Sequence, residues 1–221
     1  MKKIIIFGRG GHAKVVLECI KLLKKYKILG FVGDKTNFSL KKQIKYLGKI
    51  DNLKNIIKKN GLKNLYGIIA IGDNSIRKTI SFKVKKINKK FKWANIIHPS
   101  SIISPTSKMG EGNVILAGSI IGSGTKIYNH VSINTGSYID HNNEFKNFSS
   151  TGPGVSTGGN VKVGEQSFLG IGCSVRHKIF IGANTVIGGK AYVCKNCKSN
   201  SLYFGVPAKR IRKRKTEEVF L

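Results

Sequence analysis

Acidic residues are what this chain has least of. Its 221 residues hold 10 Asp and Glu against 40 Lys and Arg, a formal charge of +30 at pH 7. The excess is largely lysine, spread along the whole length among many Asn and Ile, which reads as a composition bias and not as a built patch. No aromatic-rich or helix-turn-helix motif accompanies it, so nucleic-acid binding is not expected. A positive field would instead gather small anionic substrates. Cysteine is scarce too, limited to Cys19, Cys173, Cys194 and Cys197. Cys194-Lys-Asn-Cys197 is a lone CxxC without a second pair or a nearby histidine. Zinc takes about four ligands, so no metal is expected and packing is the role assigned to the thiols. Long apolar runs are missing as well. No segment approaches the roughly 20 residues that span a bilayer. Ile4–Phe7 is too short for a signal-peptide core and reads as a buried strand entering a loop. A cytoplasmic protein without a membrane span is the expectation.

What the chain does have is a period. Stepping by six from Ile97 through Ile103, Met109 and Ile115 to Val193, every position is apolar except Thr151 and Thr157. A small or β-branched residue follows four places later in most hexads, as at Ser101, Ser119, Thr125, Ser137, Val161 and Cys173. Glycine often follows the residue at this position directly, as at Gly122, Gly158, Gly164 and Gly182. A period of six fits neither a helix nor a flat strand and points to a solenoid. Each hexad predicts a short strand and a tight corner, with these glycines supplying positive φ. Three hexads close a triangle, so residues eighteen apart stack in one column.

Residues 1–94 predict an α/β unit with a parallel sheet. Strands are expected over Lys3–Phe7, Ile28–Val32, Ile44–Leu47 and Leu65–Ile71. Helices are expected over Gly11–Lys25, from Asp51 as cap to Lys59, and over Ser75–Lys89. Gly8-Arg9-Gly10-Gly11-His12-Ala13 joins the first strand to the first helix. It fits a GxGxxA fingerprint, in which glycines let backbone amides approach a phosphate at a helix N-terminus. Asp34 follows the second strand, where a carboxylate can accept from a ribose or base. Gly8, Gly10, Gly11, His12 and Asp34 are therefore the candidate substrate-binding set. The hexad frame puts His141 at a corner, projecting outward, and histidine titrates near neutrality. His177 shares its column, while His98 and His130 read as packing or water-facing.

Several motifs occur in order: Gly8-Arg-Gly-Gly-His-Ala-Lys-Val-Val, Ile71-Gly-Asp-Asn-Ser-Ile-Arg, Ile97-His-Pro-Ser-Ser-Ile, the hexads, and Gly205-Val-Pro-Ala-Lys-Arg. The chain in this respect resembles the hexapeptide-repeat O- and N-acetyltransferases of sialic-acid and bacillosamine pathways. The resemblance implies a Rossmann-like domain over 1–94, a left-handed parallel β-helix over 95–198 and a C-terminal tail over 199–221. It implies a nucleotide-activated sugar on the first domain, acetyl-CoA on the β-helix, and a homotrimer with sites between subunits. It makes His141 the general base, with Asn142 standing where the family has a ring-orienting carboxylate; Asp140 or Glu144 are alternatives. It assigns Ser150, Gly159 and Ile171 to the coenzyme. Bacillosamine-type members carry a histidine at the position of Ser150. The implied reaction is acetyl-CoA-dependent acetylation of an amino group on a nucleotide-linked amino-deoxy sugar for surface glycan synthesis. O-acetylation of a sialic-acid-like sugar and a weakly catalytic binding trimer are the alternatives.

Overall fold

A computed structural model of the chain describes residues 1–33, 44–215 and 218. Five parallel strands form the N-terminal sheet: β1 (Lys2–Phe7), β2 (Tyr26–Val32), β3 (Tyr46–Gly48), β4 (Leu65–Ile69) and β5 (Lys92–Trp93), in the order β3-β2-β1-β4-β5. Side chains alternate across β1, as a pleated strand requires. Ile4 and Ile6 pack with α1 (Gly11–Leu23) on one side; Ile5 and Phe7 pack on the other with α2 (Leu53–Asn60) and α3 (Asn74–Ile87). Asp73 caps α3, its Oδ1 accepting the Ile76 amide at 2.8 Å. Asp51 does not cap α2: it sits inside a 3-10 turn over Ile50–Asn52, and the α-helix starts at Leu53.

Beyond residue 95 the predicted hexads become two-residue strands on three faces of a left-handed parallel β-helix. Strands stack at eighteen-residue intervals, as with Ile115 beside Ile133 and Ile121 beside Ile139. The inward residues from Ile115 to Val193 are buried and form one core. The two hydroxyl exceptions are satisfied. Thr151 Oγ1 accepts the Asn134 amide at 2.8 Å, and Thr157 Oγ1 the Asp140 amide at 3.4 Å. The small residues four places on donate to a corner carbonyl of the next coil, as Ser119 does to Asn134 (2.8 Å) and Thr125 to Asp140 (2.8 Å). A small hydroxyl fits the crowded corner and answers a carbonyl that burial would otherwise orphan.

The role expected of the corner glycines needs correction. Positive φ falls three residues after each inward position, every sixth residue from Gly112 to Lys190, and eight of these sites are not glycine: His130, Asn142, Phe148, Asn160, Gln166, Lys178, Asn184 and Lys190. The glycines directly after the inward residues serve a different need. A Cβ on Gly158 would lie 2.8 Å from the His177 amide nitrogen of the next coil. They permit close stacking of coils, not a turn.

The faces differ outside. The α/β unit covers one, the docking face, whose outward column runs Ser132, Ser150, Phe168, Val186 and Leu202. The second face exposes Ile102, Tyr138 and Tyr192. The third carries Lys108, Lys126, Glu144 and Lys162. The chain after residue 198 does not trail away: Ser201–Phe204 extends the docking face in parallel, and Lys209–Lys213 returns antiparallel to it. No helix among the described residues is long and apolar enough to cross a membrane. Cys173 and Cys197 are buried in the β-helix core, and burial pushes both thiols up to about 12.

Candidate functional site

A cleft of about 530 Å³ lies where the start of α1 meets the docking face. His12, Gly72, Ser132, Ser150, Ile171 and Phe204 are among its walls. The phosphate-type loop is built as its sequence requires. Gly8 has φ +122°, and a Cβ there would stand 2.7 Å from the Ala70 carbonyl oxygen. Gly10 and Gly11 have open space where side chains would be, so the amides at the start of α1 are approachable by an anion. His12 is half-buried, and its Nε2 is buried without a partner. Burial first, and then the nearby Arg77 charge, lower its pKa to about 4, so the ring is neutral at pH 7. A neutral imidazole at a cleft wall offers one hydrogen-bond donor and one acceptor. Asp34 lies outside the described residues.

His141 is exposed at the corner between the second and third faces. The corner is firmly braced. Asn143 is buried, donating to Asp140 O (2.7 Å) and Gly158 O (3.1 Å) while accepting from the Val161 amide (3.0 Å). The imidazole lies over Gly159, one coil on, and a Cβ at 159 would fall inside its contact distance. The amide of Asn142 reaches His141 Nδ1 at 3.1 Å. Asp140 is engaged elsewhere, its Oδ1 accepting the His141 amide at 2.7 Å. Glu144 bonds Lys146 at 2.7 Å, and that lysine holds its carboxyl below the usual carboxylate range. Of the candidate orienting groups, Asn142 is the one seated on the ring.

The structure does not bring all the candidates together. His12 lines the cleft with Ser150 and Ile171, and Gly8, Gly10 and Gly11 precede it in the chain without lining the cleft; His141, Asn142 and Gly159 occupy another corner and contribute nothing to its wall. Ser150 is buried, and its hydroxyl donates to Asn74 Oδ1 at 2.7 Å. Ile171 is 61% exposed. His177 is exposed on the coil after Gly159, in the His141 column. His130 belongs to neither site. It is buried, stacks on Phe148 with centroids 5.1 Å apart, and meets Ser81 Oγ at 2.9 Å. Asn74, Arg77 and Asn143 did not stand out in the sequence as site residues. The Ile71–Arg77 motif held the signal for the first two, but their partners lie more than fifty residues away.

Residues 3–84 match the family described as PglD N-terminal domain. Over 115 residues the chain is 31% identical to UDP-N-acetylbacillosamine N-acetyltransferase of Bacillus subtilis; this alignment spans 51% of the chain and only 50% of that curated relative. A histidine-to-alanine variant of GDP-perosamine N-acetyltransferase from Caulobacter crescentus, in complex with CoA and GDP-perosamine, is 32% identical. It superposes with a TM-score of 0.88, covering 96% of this chain and 98% of that one. The acetyltransferase domain of PglB from Neisseria gonorrhoeae, in complex with acetyl coenzyme A, is 27% identical with a TM-score of 0.86, covering 95% and 99%.

Proposed function

Because the chain belongs to the hexapeptide-repeat sugar acetyltransferase family, we propose that it transfers acetyl from acetyl-CoA to the amino group of a nucleotide-linked amino-deoxy sugar. The observation that carries this reading is the exposed His141 imidazole, laid over Gly159 and contacted by Asn142 on a braced corner. In this reading residues 1–94 hold the acceptor, residues 95–198 carry acyl transfer, and the reaction belongs to the cytoplasm. The nucleotide diphosphate sits at Gly8–Gly11 with His12 beside it, and Asp34 takes the ribose or base. The pantetheine arm runs along the corner at Gly159, and its thioester meets the acceptor at the mouth of a neighbouring copy's cleft, whose Ser150 and Ile171 walls face the sugar.

His141 then works as a general base. The amine attacks the thioester carbonyl, Nε2 takes the amine proton, and the tetrahedral intermediate collapses to the amide. The proton passes to the departing sulfur, giving CoA thiol. For Nε2 to accept, Nδ1 keeps its hydrogen and donates it to the Asn142 amide oxygen, an orientation reached by a half-turn of the amide. A neutral partner steadies the imidazolium less than a carboxylate does. That suits an amine, which is already a nucleophile, better than a sugar hydroxyl.

A site shared between copies, three in the assembly, accounts for the distance between His141 and the cleft. The exposed Ile102, Tyr138 and Tyr192 supply an apolar face for that contact. The test is incubation with acetyl-CoA and a panel of UDP-, GDP- and CMP-linked amino sugars, following CoA thiol release and product mass. Acetylated amino sugar with stoichiometric thiol supports the proposal. Thiol release only with hydroxyl acceptors would move it to O-acetylation, and none with any acceptor would leave a binding protein.

A further inference from the structure

Arg77 is 2% exposed and is the largest fully buried side chain among the described residues. Burial lowers its pKa to about 10, so it remains a cation at pH 7. No carboxylate lies within ion-pair distance of it among the described residues. Its donors go to carbonyls from both halves of the chain. Nη1 donates to Ile71 O (3.1 Å) and Gly72 O (2.8 Å) at the end of β4. Nε donates to His130 O (3.0 Å) and Nη2 to Phe148 O (3.0 Å), two successive corners of the β-helix. Nη2 also reaches Asn74 Oδ1 at 2.6 Å.

Asn74 extends the bridge. Its Oδ1 accepts the Ser150 hydroxyl, and its Nδ2 donates to Gln166 O (3.0 Å) and Ser167 O (3.1 Å). The two corner residues whose carbonyls accept from Arg77 are bulky and left-handed, His130 at φ 56° and Phe148 at φ 59°. Such residues adopt that conformation only when their surroundings enforce it. The same conformation recurs at every sixth residue of the coil, so the repeat enforces it, and the stacked rings and Arg77 bonds tie these two corners to the α/β unit. Two walls of the cleft are thereby tied to one guanidinium: Gly72 directly, and Ser150 through Asn74.

We propose that Arg77, acting through Asn74, is a positioning residue that fixes the spacing between the Gly72 wall and the Ser150 wall of the cleft, and so sets acceptor binding. The coenzyme corner at His141 and Gly159 lies outside its reach. This role rests on the acceptor occupying the cleft, as in the reading above. Lysine cannot replace it, because three donors on one nitrogen cannot serve six acceptors set around a planar fork.

The test uses Arg77→Lys, with Ser81→Ala as comparison. Ser81 bonds His130 Nε2 at the same interface but touches neither cleft wall. Turnover of GDP-perosamine and UDP-linked 4-amino sugars by the wild type is measured first; its absence defeats the functional reading and this role with it. Given turnover, Arg77→Lys should raise the acceptor KM about tenfold or more while calorimetric CoA affinity stays within about twofold. Ser81→Ala should lower the melting temperature without moving KM. Equal melting losses in both variants with KM unchanged in both would overturn the proposal and leave Arg77 a structural clasp. Should Arg77→Lys fail to fold, Asn74→Ala, which cuts the Ser150 link, takes its place: a raised acceptor KM supports the role, and an unchanged one overturns it.

Discussion

Gly159→Ala offers a small perturbation with a large expected effect. No positive φ holds this glycine, so alanine meets no backbone penalty there. The added methyl instead claims the space of the His141 ring, meeting Cε1, Nε2 and Cδ2. The ring is exposed and can swing away, so the fold should survive with the melting temperature nearly unchanged. The base would then be misplaced. A general base contributes roughly 10²–10⁴-fold, so kcat should drop at least about a hundredfold, about 2.7 kcal/mol of barrier. The double variant His141→Ala, Gly159→Ala should turn over no more slowly than His141→Ala alone, because both changes remove one function. The assay is CoA thiol release at saturating acetyl-CoA and acceptor, with CoA affinity by calorimetry. Near-normal kcat in folded Gly159→Ala would refute the placement of the base. Loss of CoA affinity in the double variant relative to His141→Ala would show that the glycine serves the coenzyme itself.

Other consequences can be checked alongside. Sedimentation should give about three chain masses at micromolar concentration, and Tyr138→Lys on the apolar face should shift the protein toward monomer; a fully active monomer would contradict the shared site. Asn142→Asp places a charge beside the imidazole, which favours its protonated form. The acid limb of the kcat/KM profile should therefore move to higher pH, and an unmoved limb would mean that Asn142 does not address the ring. His130 and His12 are held neutral in the fold, their pKa values lowered to about 3 and about 4 from 6.5. Above about pH 6.5 neither affects stability. Below it the unfolded chain takes up protons that the native state refuses, costing up to about 1.4 kcal/mol per pH unit for each group. The melting temperature should fall between pH 6.5 and 4, and a flat profile there would contradict the burial of both rings.

Much of this was legible because the β-helix is written in local repeats. A slip of one residue would expose the core, so Ile115, Ile133 and their column could be read directly. Conformation at the corners was harder. Glycines at the close-stacking position look like turn glycines, and only coordinates separate Gly158 from the truly left-handed Asn142. The hairpin after Lys198 escaped because its strands abandon the six-residue frame. His141 and the Gly8–His12 loop announced themselves through residue type and context. Arg77, Asn74 and Asn143 did not, since their meaning lies in partners brought close only by folding: Phe148 for Arg77, Ser150 for Asn74, and Gly158 on the next coil for Asn143.

A subunit-mixing experiment bears most directly on the claim that base and acceptor cleft meet from different copies. His141→Ala lacks the base, and His12→Leu fills the cleft wall without breaking a hydrogen bond at the unpartnered Nε2. Each should be nearly inactive alone in acetyl transfer to a nucleotide-linked amino sugar. Dissociated and reassembled together, they should regain a substantial fraction of wild-type turnover, because some interfaces then pair an intact His141 with an intact cleft. Mixed assemblies that form but stay as inactive as either parent would contradict the shared site.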